Sequence, residues 1–124
     1  MKRDMELVRR LLMELSDSEF YSDMDLPRID GYNEDAIRHH SLIMRDAGLL
    51  AFREGVKTEG GMFGPLEDLQ LRLTWEGHEF LEKTRDERIW RSVVSKTKEM
   101  TGGLSFQIIQ GLLVVALSKA VGIT

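Results

Sequence analysis

The chain has no cysteine in 124 residues. That excludes a disulfide framework, a thiolate metal site and a cysteine nucleophile. Histidine is scarce, at three residues. Two of them, His39 and His40, are adjacent, and adjacent residues on a helix point about 100° apart. They do not converge on one tetrahedral ion, so no metal site and no cofactor is expected. An excess of positive charge is also missing: the formal net charge is -4. Residues 1–50 carry seven basic and eleven acidic side chains, and residues 76–103 carry six of each. No basic stripe stands out, which weighs against non-specific binding to nucleic acid. Carboxylate pairs such as Glu76/Glu79 and Asp86/Glu87 come with no nucleophile or partner histidine, so they read as solvated helix faces and the chain as no enzyme. MKRDMELVRRLL is charged from its second residue and has no apolar core of a signal peptide, which points to the cytoplasm. No internal repeat or low-complexity tract is visible.

What is present is a moderately apolar chain, 42% hydrophobic and 31% charged, of a size that suits one modest core. Met5, Val8, Leu11, Leu12 and Leu15 recur at spacings of three and four and predict a helix over 3–15, with Arg9, Arg10 and Glu14 outside. Residues 17–32 hold four aspartates and Pro27, which disfavours helix at Leu26. They read as a loop with a short extended piece near Leu26 to Ile29. Asn33 is a plausible N-cap for a helix over 34–47. Its inner stripe is Ile37, His40, Ile43, Met44 and Ala47, and Gly48 is its left-handed stop.

Leu49 to Phe52 read as a short strand. Residues 53–65 read as a long glycine-rich tip. Leu66 to Leu73 form the returning strand, with Leu69, Leu71 and Leu73 on one side. Thr74 caps a helix from Trp75 to about Lys83. Thr84 and Glu87 have the spacing of a capping box, so the helix bends or restarts there. Ile89, Trp90, Val93, Val94, Thr97 and Met100 form its apolar face, and Trp75 and Trp90 are the expected core anchors. Residues 104–121 form the last helix, with 12 of 18 positions apolar.

The order is helix, loop, helix, strand, glycine-rich turn, strand, helix. It predicts an α+β chain: a winged-helix-like domain over 1–85, in which helices carry a two-stranded wing hairpin. A C-terminal two-helix extension over 86–124 would pack on that domain or form a dimer interface. Three separated stretches, MKRDMELVRRLLMEL, GYNEDAIRHHSLIMRDAGLL and RLTWEGHEFLEKTRDERIW, resemble the small family catalogued as domain of unknown function 2513. The resemblance implies no assigned activity, and it implies a cytoplasmic setting in bacteria, phages and prophages. RDAGLL followed by RLTWEGHEFL also resembles the recognition-helix-to-wing run of many winged-helix regulators. Two features depart from those regulators. A loop rich in aspartate stands where they have a further helix, and Glu34 and Asp35 begin the helix that would read DNA.

These features give three expectations. The first is a DNA-binding regulator contacting double-stranded DNA through Arg38, His39, Ser41 and Arg45 on the outer face of helix 34–47, with Arg53 and Lys57 from the wing. The second is a protein-interaction adaptor that uses Leu42, Met62 and Phe63. Homo-oligomerisation is expected through Leu112 and Val115 of the last helix. The third and least is a protein acting at a membrane. Residues 100–118 hold no charge over 19 positions. However, Ser105, Gln107 and Gln110 interrupt the run, which favours burial or dimerisation over a membrane span.

Overall fold

The computed structural model describes residues 2–17, 21–22, 26–58, 66–101 and 105–122, with side chains outside 21–22, 52–58, 66–70 and 101. The first helix, α1 (Met5–Asp17), starts where Asp4 caps it. The Asp4 carboxylate accepts the backbone N–H groups of Glu6 at 2.9 Å and Leu7 at 3.1 Å. Two of the donors that a helix start leaves unsatisfied are thereby met. Its inner face is wider than the spacing predicts. Leu7 is fully buried, and Arg9, which was expected outside, is buried at 5% exposure. The Arg9 guanidinium reaches the Glu6 carboxylate at 3.5 Å.

The extended piece after α1 is strand β1 (Tyr21–Ser22), not the expected Leu26–Ile29. The β-sheet partner decides this: Tyr21 pairs with Leu71 and Ser22 with Gln70. Helix α2 (Glu34–Asp46) begins at Asn33, whose side chain accepts the Ala36 N–H at 2.8 Å. It ends at Gly48, with φ +81°, in a conformation that glycine adopts without penalty. There the Gly48 N–H donates to Arg45 and the Leu49 N–H to Met44, a Schellman pair. Met44 and Leu49, both buried, supply its usual apolar contact.

Strand β2 (Leu50–Thr58) is longer than Leu49–Phe52, and it absorbs part of the expected tip. It pairs antiparallel with β3 (Leu66–Leu73), Leu50 facing Leu73 and Phe52 facing Leu71, with an irregular register between Glu54 and Lys57. The three-stranded sheet has the order β1-β3-β2. Helix α1 packs on α2 and β3, and α2 packs on β2.

Helix α3 (Trp75–Lys83) is followed by α4 (Glu87–Thr101) and α5 (Phe106–Ala120). The chain forms two compact units, Met1–His78 and Glu79–Thr124, and the division falls inside α3. The second unit is organised by aromatic rings. Phe80 meets Trp90 edge-on at 6.3 Å and Phe106 at 5.0 Å. Both Phe80 and Trp90 are 1% exposed, as an anchor of the core requires. Trp75, expected to be a second anchor, is 76% exposed. It is the first residue of α3, a turn ahead of the buried Phe80 and Leu81.

The restart after Lys83 is where the sequence puts it, but the cap is different. The Asp86 carboxylate accepts the Ile89 N–H at 3.0 Å. Thr84 is fully buried and donates its hydroxyl to the Leu81 carbonyl at 2.8 Å, so it closes α3 rather than opening α4. On α4, Trp90, Val93 and Thr97 are buried, whereas Met100, expected on the same face, is 60% exposed.

Candidate functional site

Helix α2 carries the residues that the sequence assigns to nucleic acid. Arg38, Leu42 and Arg45 lie at i, i+4 and i+7, one row along the helix. Leu42 is 41% exposed, a large apolar side chain between two cations. Arg38 pairs with Glu34 at 3.3 Å and Arg45 with Asp46 at 3.6 Å. Ion pairs this exposed are worth about 0–1 kcal/mol. Glu34 and Asp35 occupy the first turn, where the helix dipole favours anions. They oppose an incoming phosphate at that end and leave the Arg45 end the more receptive.

Ser41 does not belong to this face. It is 2% exposed, and its hydroxyl donates to the Ile37 carbonyl at 2.9 Å. A small side chain closes the inner stripe there, and Ala47, expected inside, is exposed as the C-cap. His39 is half-buried and meets His40 edge-on at 5.6 Å. Arg53 and Lys57 lie on β2, not on a loop, and their side chains are outside the described residues. Met62 and Phe63 are also outside the described residues. On α5, Leu112 is half-buried and Val115 is 52% exposed.

The inner side of α2 is fixed by a polar chain around His40, whose partners Asp4 and Tyr32 sequence reasoning did not name. His40 is 1% exposed. Its Nδ1 lies 2.8 Å from the Ala36 carbonyl, and its Nε2 accepts the Asp4 backbone N–H at 2.8 Å. A carbonyl on one side and an amide donor on the other select the tautomer with the proton on Nδ1. The other carboxylate oxygen of Asp4 accepts the Tyr32 hydroxyl at 2.8 Å. Burial pushes the Tyr32 phenol up to about 12, and the hydrogen bond to Asp4 acts in the same direction. Phenolate would lose its water and face a carboxylate. The chain Ala36–His40–Asp4–Tyr32 ties α2, the start of α1 and the segment before α2 together.

A second arrangement presents α3. The Thr74 hydroxyl donates to the Gly48 carbonyl and accepts the Gly77 N–H at 3.0 Å. The Thr74 N–H donates to the Leu49 carbonyl at 3.0 Å. Threonine therefore caps α3 and locks it to the end of α2. Gly77 makes the close approach possible, because a Cβ there would stand 2.1 Å from the Leu49 carbonyl oxygen. The stretches RDAGLL and LTWEG are thus two sides of one junction.

This junction lies within a matched family. Residues 2–104 match the family described as hypothetical protein (DUF2513). The chain belongs to that family. An uncharacterized protein of Haemophilus influenzae is similar, 28% identical over 123 residues, covering 96% of this chain and 98% of the relative. No solved structure matches.

Sequence reasoning also missed a cationic surface. Between Arg88 and Lys98, α4 carries Arg88, Arg91, Lys96 and Lys98 with no acidic residue among them. All four are exposed. The balance over 76–103 hides them, because five of the six acids of that window lie at Glu76–Glu87. Counting charge per helix would have found them.

Proposed function

We propose that the chain is a winged-helix DNA-binding regulator of a bacterium or prophage, with α2 as the reading helix and the β2–β3 hairpin as the wing. The observation that carries the reading is the sheet order β1-β3-β2 around α2. A strand ahead of the reading helix pairs with the far strand of the hairpin, and α2 passes through Gly48 directly into β2. The Arg38–Arg45 row supports a groove-facing role, with guanidiniums suited to phosphate or to guanine.

The test is a mobility shift at low and high salt, with the intergenic DNA beside the gene and a scrambled control. The expected result is a salt-sensitive shift specific to the intergenic DNA. Arg38→Ala/Arg45→Ala should weaken it by about 1–3 kcal/mol per lost contact. Unchanged binding by that double variant would remove α2 from the interface. Absence of any shift at low salt favours the second reading, a protein-interaction adaptor. That reading rests on Leu42 at 41% and Trp75 at 76% exposure, large apolar groups of the kind that anchor protein interfaces.

A further inference from the structure

Helix α5 leaves part of its apolar surface in water. Among its described side chains only Ile109 and Leu113 are buried. Val114 is 48% exposed and Val115 52%, and Val121 just beyond the helix is 70% exposed. Lys119 is the only charge on the helix. Helix α4 packs against it antiparallel: Asp86, Arg88, Ile89 and Ser92 line a shallow groove with Ala116 and Ala120. Arg88, Ser92 and Lys96 recur every four residues, so they form one row beside that groove. On α5, Leu112 and Val115 continue the same side from Ala116. Arg88 and Lys96 of α4 therefore stand beside exposed Val115 and half-buried Leu112 of α5, all within the Glu79–Thr124 unit. This unit carries seven basic and five acidic side chains, against ten and sixteen in Met1–His78.

We propose that this α4–α5 side docks on an anionic lipid surface. Cations of one helix beside apolar side chains of its neighbour suit a membrane interface, with the apolar groups at the acyl boundary and the cations among headgroups. No helix among the described residues is long and apolar enough to cross a membrane, so the contact is peripheral. Charge decides against the competing occupants. Two copies joined symmetrically through this side would bring together two sets of Arg88, Lys96 and Lys119. Duplex DNA would satisfy the cations and leave Leu112 and Val115 against phosphates.

The experiment is co-sedimentation of the full chain with vesicles of phosphatidylcholine alone, or with about a third phosphatidylserine. The protein should pellet with the anionic vesicles, less so at high salt, and stay in solution with phosphatidylcholine alone. Arg88→Glu/Lys96→Glu and Val115→Asp should each weaken partitioning by roughly ten-fold or more. All three side chains are exposed, so both variants should keep the helical circular dichroism of the parent. Absence of pelleting with anionic vesicles at low salt overturns the proposal, and so does equal pelleting by either variant. Capture of duplex DNA that only the charge reversal abolishes, without vesicle binding, would make the face a phosphate reader and also overturn it. So would a two-chain mass that Val115→Asp halves, without vesicle binding. None of these arms involves α2, so the outcome is independent of the DNA-binding reading.

Discussion

Gly77 and Gly111 are both helical glycines, yet their surroundings set opposite expectations. A Cβ at Gly77 meets backbone, the Leu49 carbonyl oxygen at 2.1 Å, and backbone held by the Thr74 amide has little room to move. Gly77→Ala should therefore cost about 3 kcal/mol or more. A Cβ at Gly111 meets nothing within 4 Å. There the substitution removes only the entropic cost of a helical glycine, and Gly111→Ala should stabilise by up to about 1 kcal/mol. Urea unfolding of the two variants checks both signs. If Gly77→Ala unfolds at the parent midpoint, the α2–α3 junction is not as close as described. Tyr32 gives a pH dependence of definite sign. Its phenol is raised from 10.0 to about 12 in the folded protein, so the folded state holds the proton more tightly than the unfolded chain. The stability from this group is complete below about pH 10 and is lost as the pH rises towards 12. Stability measured across that window should fall in the parent. The fall should be smaller in Tyr32→Phe, which has no proton to lose. Equal slopes would mean the phenol does not sense the fold.

At the scale of the element, the starts of helices decide more than their interiors. Helix α1 starts at Asp4, α2 at Asn33, α3 at Thr74 and α4 at Asp86, each through a side-chain oxygen on a backbone N–H. The sequence names two of these four plainly. At Asp86 it offers a competing signal, because Thr84 and Glu87 have capping-box spacing. Thr84 is drawn inward instead, since its methyl group can be buried while its hydroxyl bonds the Leu81 carbonyl. Asp86→Ala should therefore lower stability by about 1 kcal/mol. Glu87→Gln should cost a few tenths at most, because its pair with Arg91 is exposed. The reverse order in thermal melts would restore Thr84 and Glu87 as the cap.

Over the whole molecule, charge is divided unevenly: formally -6 in Met1–His78 and +2 in Glu79–Thr124. Helix positions, the left-handed stop at Gly48 and the strand from Leu66 to Leu73 were legible in the sequence, because spacing, capping chemistry and glycine act locally. So were the exposure of Leu42 and the burial of Trp90 and His40, which follow from helical phase. Other features depend on contacts distant in sequence. Strand β1 exists through β3, fifty residues later in chain order. The length of β2 is set by its pairing. Ser41 and Arg9 lie inside because neighbouring elements cover faces that periodicity leaves open. Trp75 lies outside because, among the described residues, no element covers its side of α3. The cations of α4 were present in the sequence, but only packing against α5 brought them beside exposed Val115 and half-buried Leu112. Local propensity and periodicity fixed the elements; tertiary packing decided which faces water keeps, because burial depends on what comes alongside.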